Sequence, residues 1–249
     1  MPLPLHRFRR HPFAFEANFD WSLALVYAYP EEALKPFLTP GLELDTHDGY
    51  GFIAVALVQT RDLRPRGWPK AFGRDFFLGG LRVFTRYTNR DGRRLRGLRI
   101  LGGYANSRFM VLAGSLTSHY QYRYLPIRTE TSEDSLHIES DNKIFSLSTD
   151  FSKQTELPEN SVFPDLKTAR LFAGPMPFTF DYEKETHSMI SVEGRRTNWK
   201  PQAVDVDIRS MKPISEGPLA DLPTPRLSNC FLVRNVDYSW GRGVLEKLE

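Results

Sequence analysis

Short apolar and alternating segments, separated by clusters of Pro, Gly, Asn and Asp, run along the whole chain and limit what it can fold into. The first, residues 21–29 (WSLALVYAY), is a continuous apolar run that is too short for a helix of normal length. Its aromatic and β-inclined residues predict a buried strand. Later segments of the same character predict a meander of antiparallel strands: LHIES, KIFSLSTD, FTFDYE, HSMISVEGRR, AVDVDIRS and CFLVRNVDY.

Two turn signals predict hairpins in the first half of the chain. The tripeptide HDG at residues 47–49 separates LELD from YGFIAVALVQT, which is the pattern of two strands that pair across a tight turn. Residues 76–88 and 95–101 flank the polar turn NRDGR. We therefore predict a second antiparallel pair between these two segments.

Two short helices are also predicted. Residues 30–41 (PEEALKPFLTPG) begin with a proline and two glutamates, which suit the first turn of a helix, and end with a Pro-Gly stop. Asn106 or Ser107 can cap a second helix that begins at Arg108, since apolar residues follow at near-helical spacing in RFMVLAGSL.

Length and composition favour one domain. A chain of 249 residues can bury about three quarters of its unfolded surface, so it needs no disulfide, and its only cysteine, Cys230, reads as a small buried apolar residue. The proline-bearing stretches at 152–167 and 212–228 are neither repetitive nor low in complexity. We expect residues 1–249 to form a single domain of mainly antiparallel β (α+β) class.

The termini and the apolar runs give no sign of a membrane segment. No apolar run approaches the roughly 18 residues that span a bilayer. The N-terminus carries Arg7, Arg9 and Arg10 with no apolar segment after them, unlike a secretory signal. We expect a cytoplasmic protein with no membrane contact.

The motifs of several enzyme classes are missing. The six histidines form no HxH or HxxxH pair, and neither CxxC nor HExxH occurs, so no metal is predicted. GxSxG, GxxxxGK[ST] and a strand-linked GxGxxG are also absent. The sequence therefore predicts no cofactor.

Residues 61–99 carry an unusual excess of positive charge, with twelve Arg and Lys residues against three Asp residues. Such a run can bind nucleic acid or another acidic partner, or can form a solvated hairpin face. Nucleic acid is disfavoured because no recognition motif accompanies the charge. Within the run, Arg82, Phe84 and Arg86 lie on one face of their strand. An inward arginine would suit a carboxylate, whereas an outward one would cover apolar surface.

The succession VYAYPEEALKPFLTPGLELDTHDGYGFIAVAL, RPRG, LRVFTRY and GLRILGGYANSRFMVL resembles the acetoacetate decarboxylase-like superfamily, and more closely its YqjF-like branch. The resemblance covers the first half of the chain, and past Tyr124 it is only architectural. It implies a cone-shaped, mainly antiparallel β-barrel with a few short flanking helices. It also implies an enclosed pocket for a small organic acid.

The decarboxylases use a lysine that forms a Schiff base with a β-keto acid, its amine made acidic by a neighbouring cation. By the resemblance, their paired lysines correspond to residues 103–107 (GYANS), where no lysine occurs. Their two pocket glutamates fall near Ile53 and Leu78, and their arginine near Asp20. The resemblance therefore implies the fold without the Schiff-base reaction.

A displaced lysine could take over the reaction. The candidates are Lys35, Lys70, Lys143, Lys153, Lys167, Lys184, Lys200, Lys212 and Lys247. Lys200 is of most interest because Trp199 precedes it and Glu193, Arg195 and Arg196 lie close in sequence. The same residues also fit an exposed hairpin tip rich in turn formers.

Three functional hypotheses follow. The first is a protein that binds a small organic ligand, with a carboxylate as one option, through residues that could reach one pocket: Arg82, Arg86, Tyr104, Asn106, Ser107, His119 and Tyr120. The second is an enzyme of different mechanism, in which Asn106, Ser107 and His119 polarise a carbonyl. The third is an interaction protein whose arginine-rich hairpin binds acidic partners.

Overall fold

The structure is a computed structural model that describes residues 5–152, 155–174 and 176–249. Most of the chain lies in one eleven-stranded sheet and a second, four-stranded sheet. The strands in chain order are β1 (Phe15–Pro30), β2 (Leu42–Leu44), β3 (Tyr50–Pro65), β4 (Arg74–Thr88), β5 (Arg94–Ala105), β6 (Tyr122–Tyr124), β7 (Ile127–Thr131), β8 (Ser135–Ser140), β9 (Phe145–Asp150), β10 (Phe178–Glu183), β11 (Ser188–Arg196), β12 (Gln202–Ala203), β13 (Asp205–Met211), β14 (Arg226–Trp240) and β15 (Val244–Lys247).

Seven strands of the large sheet close into a ring in the order β14, β1, β3, β4, β5, β10 and β11, because β11 pairs back onto β14. Most neighbours in the ring are antiparallel, but β5 and β10 run parallel. At that junction the backbones approach closely. A Cβ atom on Gly97 would lie 2.5 Å from the Phe180 ring and 2.6 Å from the Phe178 carbonyl oxygen, so only glycine fits there.

The two faces of the ring are covered by different elements. One face, which we call the outer face, packs against the second sheet: it buries Leu23, Leu25 and Val55 together with Phe145 and Leu147 of that sheet, whose order is β13, β9, β8 and β7. The opposite face, which we call the inner face, buries a cluster that includes Val26, Ala54, Phe52, Phe84 and Phe163. The alternation of strand side chains therefore feeds two apolar cores, one on each side of β1, β3 and β4.

Four short helices accompany the sheets: α1 (Glu31–Leu34), α2 (Arg108–Thr117), α3 (Leu166–Phe172) and α4 (Lys212–Ser215). The predicted helix at residues 30–41 is confirmed as α1 followed by a 3-10 turn, Lys35–Phe37. The helix from Arg108 is also confirmed, with the Ser107 side chain accepting a hydrogen bond from the Met110 amide at 3.4 Å. Within the described residues, no helix has the length and apolar character to cross a bilayer.

The strand predictions are confirmed in part. Residues 21–29 lie within β1, and residues 76–88 pair antiparallel with 95–101 as expected. The predicted pairing of LELD with the strand after it is wrong, because β2 pairs with β4 and only an isolated bridge joins His47 to Tyr50. The cause is Asp45, which is fully buried and donates its amide to the Phe84 carbonyl at 3.0 Å.

The simple meander is also corrected. The parallel pairings of β5 with β10 and with β6 interrupt it, and four strands separate into the second sheet. The stretch at 152–167 packs partly against the inner core, where Leu157, Val162 and Leu166 surround buried Phe163.

Candidate ligand-binding site

Arg82 lies on the inner face of the ring, in the middle of β4. Its backbone pairs with Ala54 on β3 and with Ile100 on β5, and the side chain shares its face with Phe84 of the inner core. The β4–β5 register shifts between Leu81 and Arg82, so β5 contains a bulge there. Bulges often lie next to functional sites because they redirect side chains. The buried Nε atom of Arg82 has no hydrogen-bond partner within the described residues.

Two histidines meet the carboxylate of Asp181. His119 follows α2, and both its backbone amide and its Nδ1 atom contact Oδ2 of Asp181 on β10, at 3.0 Å and 3.1 Å. The Nε2 atom of His11 lies 3.7 Å from the same oxygen, within range of an ion pair if the ring is protonated. Asp181 alternates with Phe180, which packs with Tyr87 on the outer face, so Asp181 lies on the same face as Arg82.

The Asp181 carboxylate and the His119 imidazole shift each other's pKa. Burial disfavours the charged form of Asp181, but the interactions with His119 and His11 outweigh it and lower its pKa from 3.8 to about 2. Burial alone would lower the pKa of His119, yet the hydrogen bond and charge of Asp181 raise it above 6.5. Asp181 is therefore a carboxylate at neutral pH, and His119 holds its proton more tightly than a free imidazole does.

Two tyrosines complete this part of the ring. Burial, reinforced by the charge of Asp181, raises the pKa of Tyr120 well above 10.0, and burial raises that of Tyr122 to about 12. The positive charge of Arg82 opposes both shifts, so Arg82 acts electrostatically on both phenols. The Tyr120 ring contacts those of His11 and Tyr122, with centroids 5.1 Å and 6.1 Å away. Both phenols stay neutral and can donate hydrogen bonds.

We call Arg82, Tyr120, His119, His11 and Asp181 the polar cluster. Four of its buried atoms have no hydrogen-bond partner within the described residues: Arg82 Nε, Tyr120 Oη, His119 Nε2 and His11 Nε2. Such groups are costly to leave unpaired, so a ligand or water that reaches them would find several polar atoms to bond to. The side chains of Asp181, His11 and His119 retain 11%, 16% and 17% of their exposure, so the cluster is partly accessible.

The N-terminal segment is held against this end of the ring. Arg10 donates two hydrogen bonds, at 2.9 Å and 2.6 Å, to the fully buried carboxylate of Glu183. That pairing, opposed by burial, lowers the pKa of Glu183. The next residue, His11, donates its amide to the Thr117 carbonyl at 3.0 Å and accepts from the Gly243 amide at 2.9 Å. These contacts fix the position of the His11 imidazole.

The structure brings three of the seven predicted site residues together, namely Arg82, His119 and Tyr120. Arg86 lies on the same face of β4, but with Arg96 it binds Asp45, each at 2.6 Å, and so has a structural partner.

The other three predicted residues lie outside the cluster. Tyr104 packs edge-on against Phe145 on the outer face. Asn106 accepts a hydrogen bond from the Phe77 amide at 2.7 Å, and Ser107 caps α2. The side-chain oxygens of Asn106 and Ser107 therefore accept hydrogen bonds from backbone amides and are not free for a ligand.

The lysines give no candidate for a Schiff base inside the ring. Seven of the eight described lysines are exposed, and Lys212 is half-buried in an ion pair with Glu216 at 3.2 Å. Lys153 lies outside the described residues. Lys200 is exposed, whereas its neighbour Trp199 stacks with the Arg196 guanidinium at 5.2 Å. The exposed-tip interpretation of Lys200 agrees with this placement.

Most of the arginine-rich run is engaged within the chain. Arg61 pairs with Asp20 and Asp75, and Arg94 pairs with Glu43. Arg64 pairs with Glu16 and Asp62. The run therefore offers less free positive charge than its sequence suggests.

No other site competes clearly with the polar cluster. Within residues 5–152, 155–174 and 176–249, no group of three or more His, Cys, Asp or Glu side chains could hold a metal ion. A cleft of about 410 Å³ lies between residues 158–160 and 224–227, and no cluster residue lines it.

Comparison with known proteins identifies a family and a fold. A family described as "Uncharacterized conserved protein (COG2071)", DUF2071, matches residues 18–236. No curated protein matches.

Among solved structures, acetoacetate decarboxylase from Legionella pneumophila aligns with a TM-score of 0.62 at 10% identity, covering 94% of this chain and 88% of that one. An acetoacetate decarboxylase-like enzyme from Sphingomonas wittichii RW1 aligns with a TM-score of 0.58 at 11% identity, covering 97% of this chain and 95% of that one. The enduracididine biosynthesis enzyme MppR, complexed with pyruvate, aligns with a TM-score of 0.55 at 11% identity, covering 94% and 90%. These likenesses show the acetoacetate decarboxylase-like fold.

Proposed function

We propose that this chain, which belongs to the DUF2071 family and has the acetoacetate decarboxylase-like fold, binds a small organic carboxylate at the polar cluster on the inner face of its ring of strands. The observation that carries the proposal is the set of buried, unpartnered polar atoms on Arg82, Tyr120 and His119. A carboxylate can accept hydrogen bonds from all three groups.

The charges of the cluster suit an anion. Asp181 is ionised, but its charge is directed at His119 and His11. Arg82 contributes a permanent positive charge, and His119 adds part of another because its pKa is raised. The net charge of the cluster is therefore zero or positive around neutral pH, and an incoming carboxylate can replace the missing partners of Arg82.

The chemical class of the ligand is a small 2-oxo or 3-oxo acid. MppR, which has the same fold, is complexed with pyruvate. With the eight described lysines exposed or half-buried, binding here depends on hydrogen bonds and charge rather than on an imine. This supports a decarboxylase-like fold used without the Schiff-base reaction.

Titration calorimetry with pyruvate, acetoacetate and uncharged pyruvamide tests the proposal. We expect the acids to bind and pyruvamide to bind much more weakly. Arg82→Gln should lower affinity for the acids about 10–100-fold, the range for losing a charge-assisted hydrogen bond. Arg93→Gln, in the exposed β4–β5 turn, is the matched control and should leave affinity unchanged. Equal binding of pyruvamide, or undiminished binding by the Arg82 variant, would contradict the proposal.

A second candidate function is proton transfer on the bound acid, favoured by the contact of His119 Nδ1 with Asp181. That contact fixes the imidazole and leaves Nε2 free. With pyruvate, a methyl C–H bond would break, the proton would pass to neutral Nε2, and the electron pair would move to the carbonyl oxygen beside Arg82. The sequence predicted that Asn106 and Ser107 polarise a carbonyl, but both side chains accept hydrogen bonds from backbone amides instead.

Deuterium exchange into the pyruvate methyl group, followed by proton NMR in D₂O, tests this second function. The rate should exceed that of buffer and should rise with pH as His119 loses its proton. His119→Gln should abolish the excess rate. His137→Gln, on β8 and outside the cluster, should not change it. Pyruvate binding without deuterium exchange would be consistent with carboxylate binding and would rule out proton transfer.

A further inference from the structure

Large apolar side chains are exposed together in three segments of the chain. Eleven such side chains are exposed among the described residues. Seven of them fall in residues 5–14, in residues 65–74 and on α2: Phe8, Phe13, Trp68, Phe72, Phe109, Leu112 and Leu116. Each of the seven is more than half exposed. Single exposed apolar residues need no explanation, but a cluster of them indicates a binding surface.

Direct contacts join the three segments into one surface. The N-terminal 3-10 turn packs against α2, and the His11 amide donates to the Thr117 carbonyl at 3.0 Å. The Arg66 amide donates to the Ala14 carbonyl at 2.9 Å, which joins the first segment to the second. The Arg74 guanidinium lies 5.6 Å from the Phe109 ring centroid and joins the second to α2.

Helix α2 presents an apolar face to solvent. Phe109, Leu112 and Leu116 are spaced by three and four residues, so they project from one side of the helix. None of the residues of α2 is buried. Its Ser107 cap and the neighbouring turn hold the helix in place, but its most apolar side chains contribute nothing to the core.

The same three segments carry only positive charge. Residues 5–14, residues 65–74 and α2 contain no Asp and no Glu. Six of their cations are exposed and form no ion pair within the described part of the chain: Arg7, Arg9, Arg66, Lys70, Arg74 and Arg108. Free cations beside exposed Trp, Phe and Leu side chains favour a partner that is both negative and apolar.

We propose that this surface, the interfacial patch, binds the headgroup region of an anionic lipid bilayer. Bilayers combine a negative surface with an apolar interior just below it, which matches both properties of the patch. A second copy of the chain would bring six unpaired cations opposite six others. Nucleic acid would match the charge but would leave Leu112 and Leu116 without an apolar partner. Binding of this kind needs no transmembrane segment, so it revises the expectation of no membrane contact.

Co-sedimentation of the full chain with vesicles of phosphatidylcholine, with and without phosphatidylglycerol, tests the proposal. We expect binding only to the vesicles with phosphatidylglycerol, and weaker binding as salt screens the cations. The double substitution Leu112→Gln with Leu116→Gln should reduce binding about tenfold or more. Trp68→Ser, in a different segment, should also reduce it. Leu171→Gln changes a leucine that is 72% exposed on α3, outside the patch, and is the matched control.

Three results would overturn the proposal. The first is equal binding to vesicles without phosphatidylglycerol, or no binding to either. The second is a concentration-dependent dimer, seen by sedimentation velocity and lost in the leucine variant, which would identify a second copy as the occupant. The third is retention on nucleic acid with no vesicle binding and no effect of the leucine substitutions. Thermal unfolding of each variant shows whether a loss of binding reflects a loss of fold.

Discussion

The Nδ1 atom of His119 lies 3.1 Å from Oδ2 of Asp181. The contact joins the segment after α2 to strand β10, which are 62 residues apart in the chain. It fixes the orientation of the imidazole and keeps Asp181 ionised in a buried position. A histidine held in this way can serve a ligand either as a hydrogen-bond donor or as a proton acceptor, depending on pH.

Removing the charge of Asp181 should lower the pKa of His119. In Asp181→Asn the burial that opposes protonation remains, whereas the charge that favours it is gone. Titration of the histidine Cε1–H signals by NMR measures the change. Asp207→Asn, which alters an exposed acid on β13, should leave the His119 pKa unchanged. An unaltered pKa in the Asp181 variant would show that the two side chains do not interact in solution.

Stability at acid pH should depend on Asp181. Its folded-state pKa of about 2 is below its ordinary 3.8. When folding lowers the pKa of a carboxyl group, the ionised group stabilises the fold at pH values above the pKa of the unfolded chain. That stabilisation is lost as the pH falls toward the pKa of the folded protein. Between about pH 5 and about pH 3, the free energy of unfolding should fall by on the order of 1 kcal/mol for this reason. Urea unfolding at several pH values should show a shallower acid dependence for Asp181→Asn, and an identical dependence would contradict the assignment.

Asp45 should be a large contributor to stability. Arg86 and Arg96 are directly opposite one another on β4 and β5, and buried Asp45 lies between their guanidiniums. Asp45→Asn would leave two like charges facing each other. Both arginine side chains keep about a third of their exposure. We therefore expect Asp45→Asn to lower the free energy of unfolding by about 2–3 kcal/mol, which is less than for a fully buried ion pair.

The matched control for Asp45 is Glu43→Gln. Glu43 pairs with Arg94, and both side chains are more than half exposed, so its loss should cost under about 0.5 kcal/mol. Denaturant unfolding compares the two variants. Equal effects of the two substitutions would show that Asp45 is not the partner of both arginines.

Borohydride reduction in the presence of pyruvate should leave the mass of the protein unchanged. The eight described lysines are exposed or half-buried, and none lies in the polar cluster, so none is placed to form an imine with an acid bound there. Intact mass spectrometry measures the outcome. A stable adduct that maps to a lysine would show that imine chemistry has moved to a new position.

Local patterns in the sequence predicted many of the strands, helices α1 and α2 and part of the site, whereas β7, β15, α3 and α4 were not predicted. Period-two alternation put Arg82 and Phe84 on one face, and the capping signal at Ser107 located α2 and hence His119 and Tyr120 after it. The pairings of β1 with β14 and of β5 with β10 were not predictable, because the partners are far apart in the chain and no local signal joins them.

The misplacement of Tyr104 has a specific cause. Ile100 is opposite Arg82, and an unbroken strand would turn residue 104 to the same inner face. The bulge at Leu101 adds one residue and reverses the alternation, so Gly103 faces inward beside Tyr122 and Tyr104 faces outward. Asp181 was missed because a single acid in FTFDYE reads as the solvent-facing member of an alternating strand.

The most direct test of carboxylate binding at the polar cluster follows the His119 Nε2 resonance by long-range proton–nitrogen NMR during a titration with pyruvate. We expect a saturable shift of this resonance in the wild type, a much weaker response in Arg82→Gln, and a wild-type response in Arg93→Gln. Pyruvate binding that leaves the His119 resonance unmoved, or that moves it equally in the Arg82 variant, would rule out the polar cluster as the binding site.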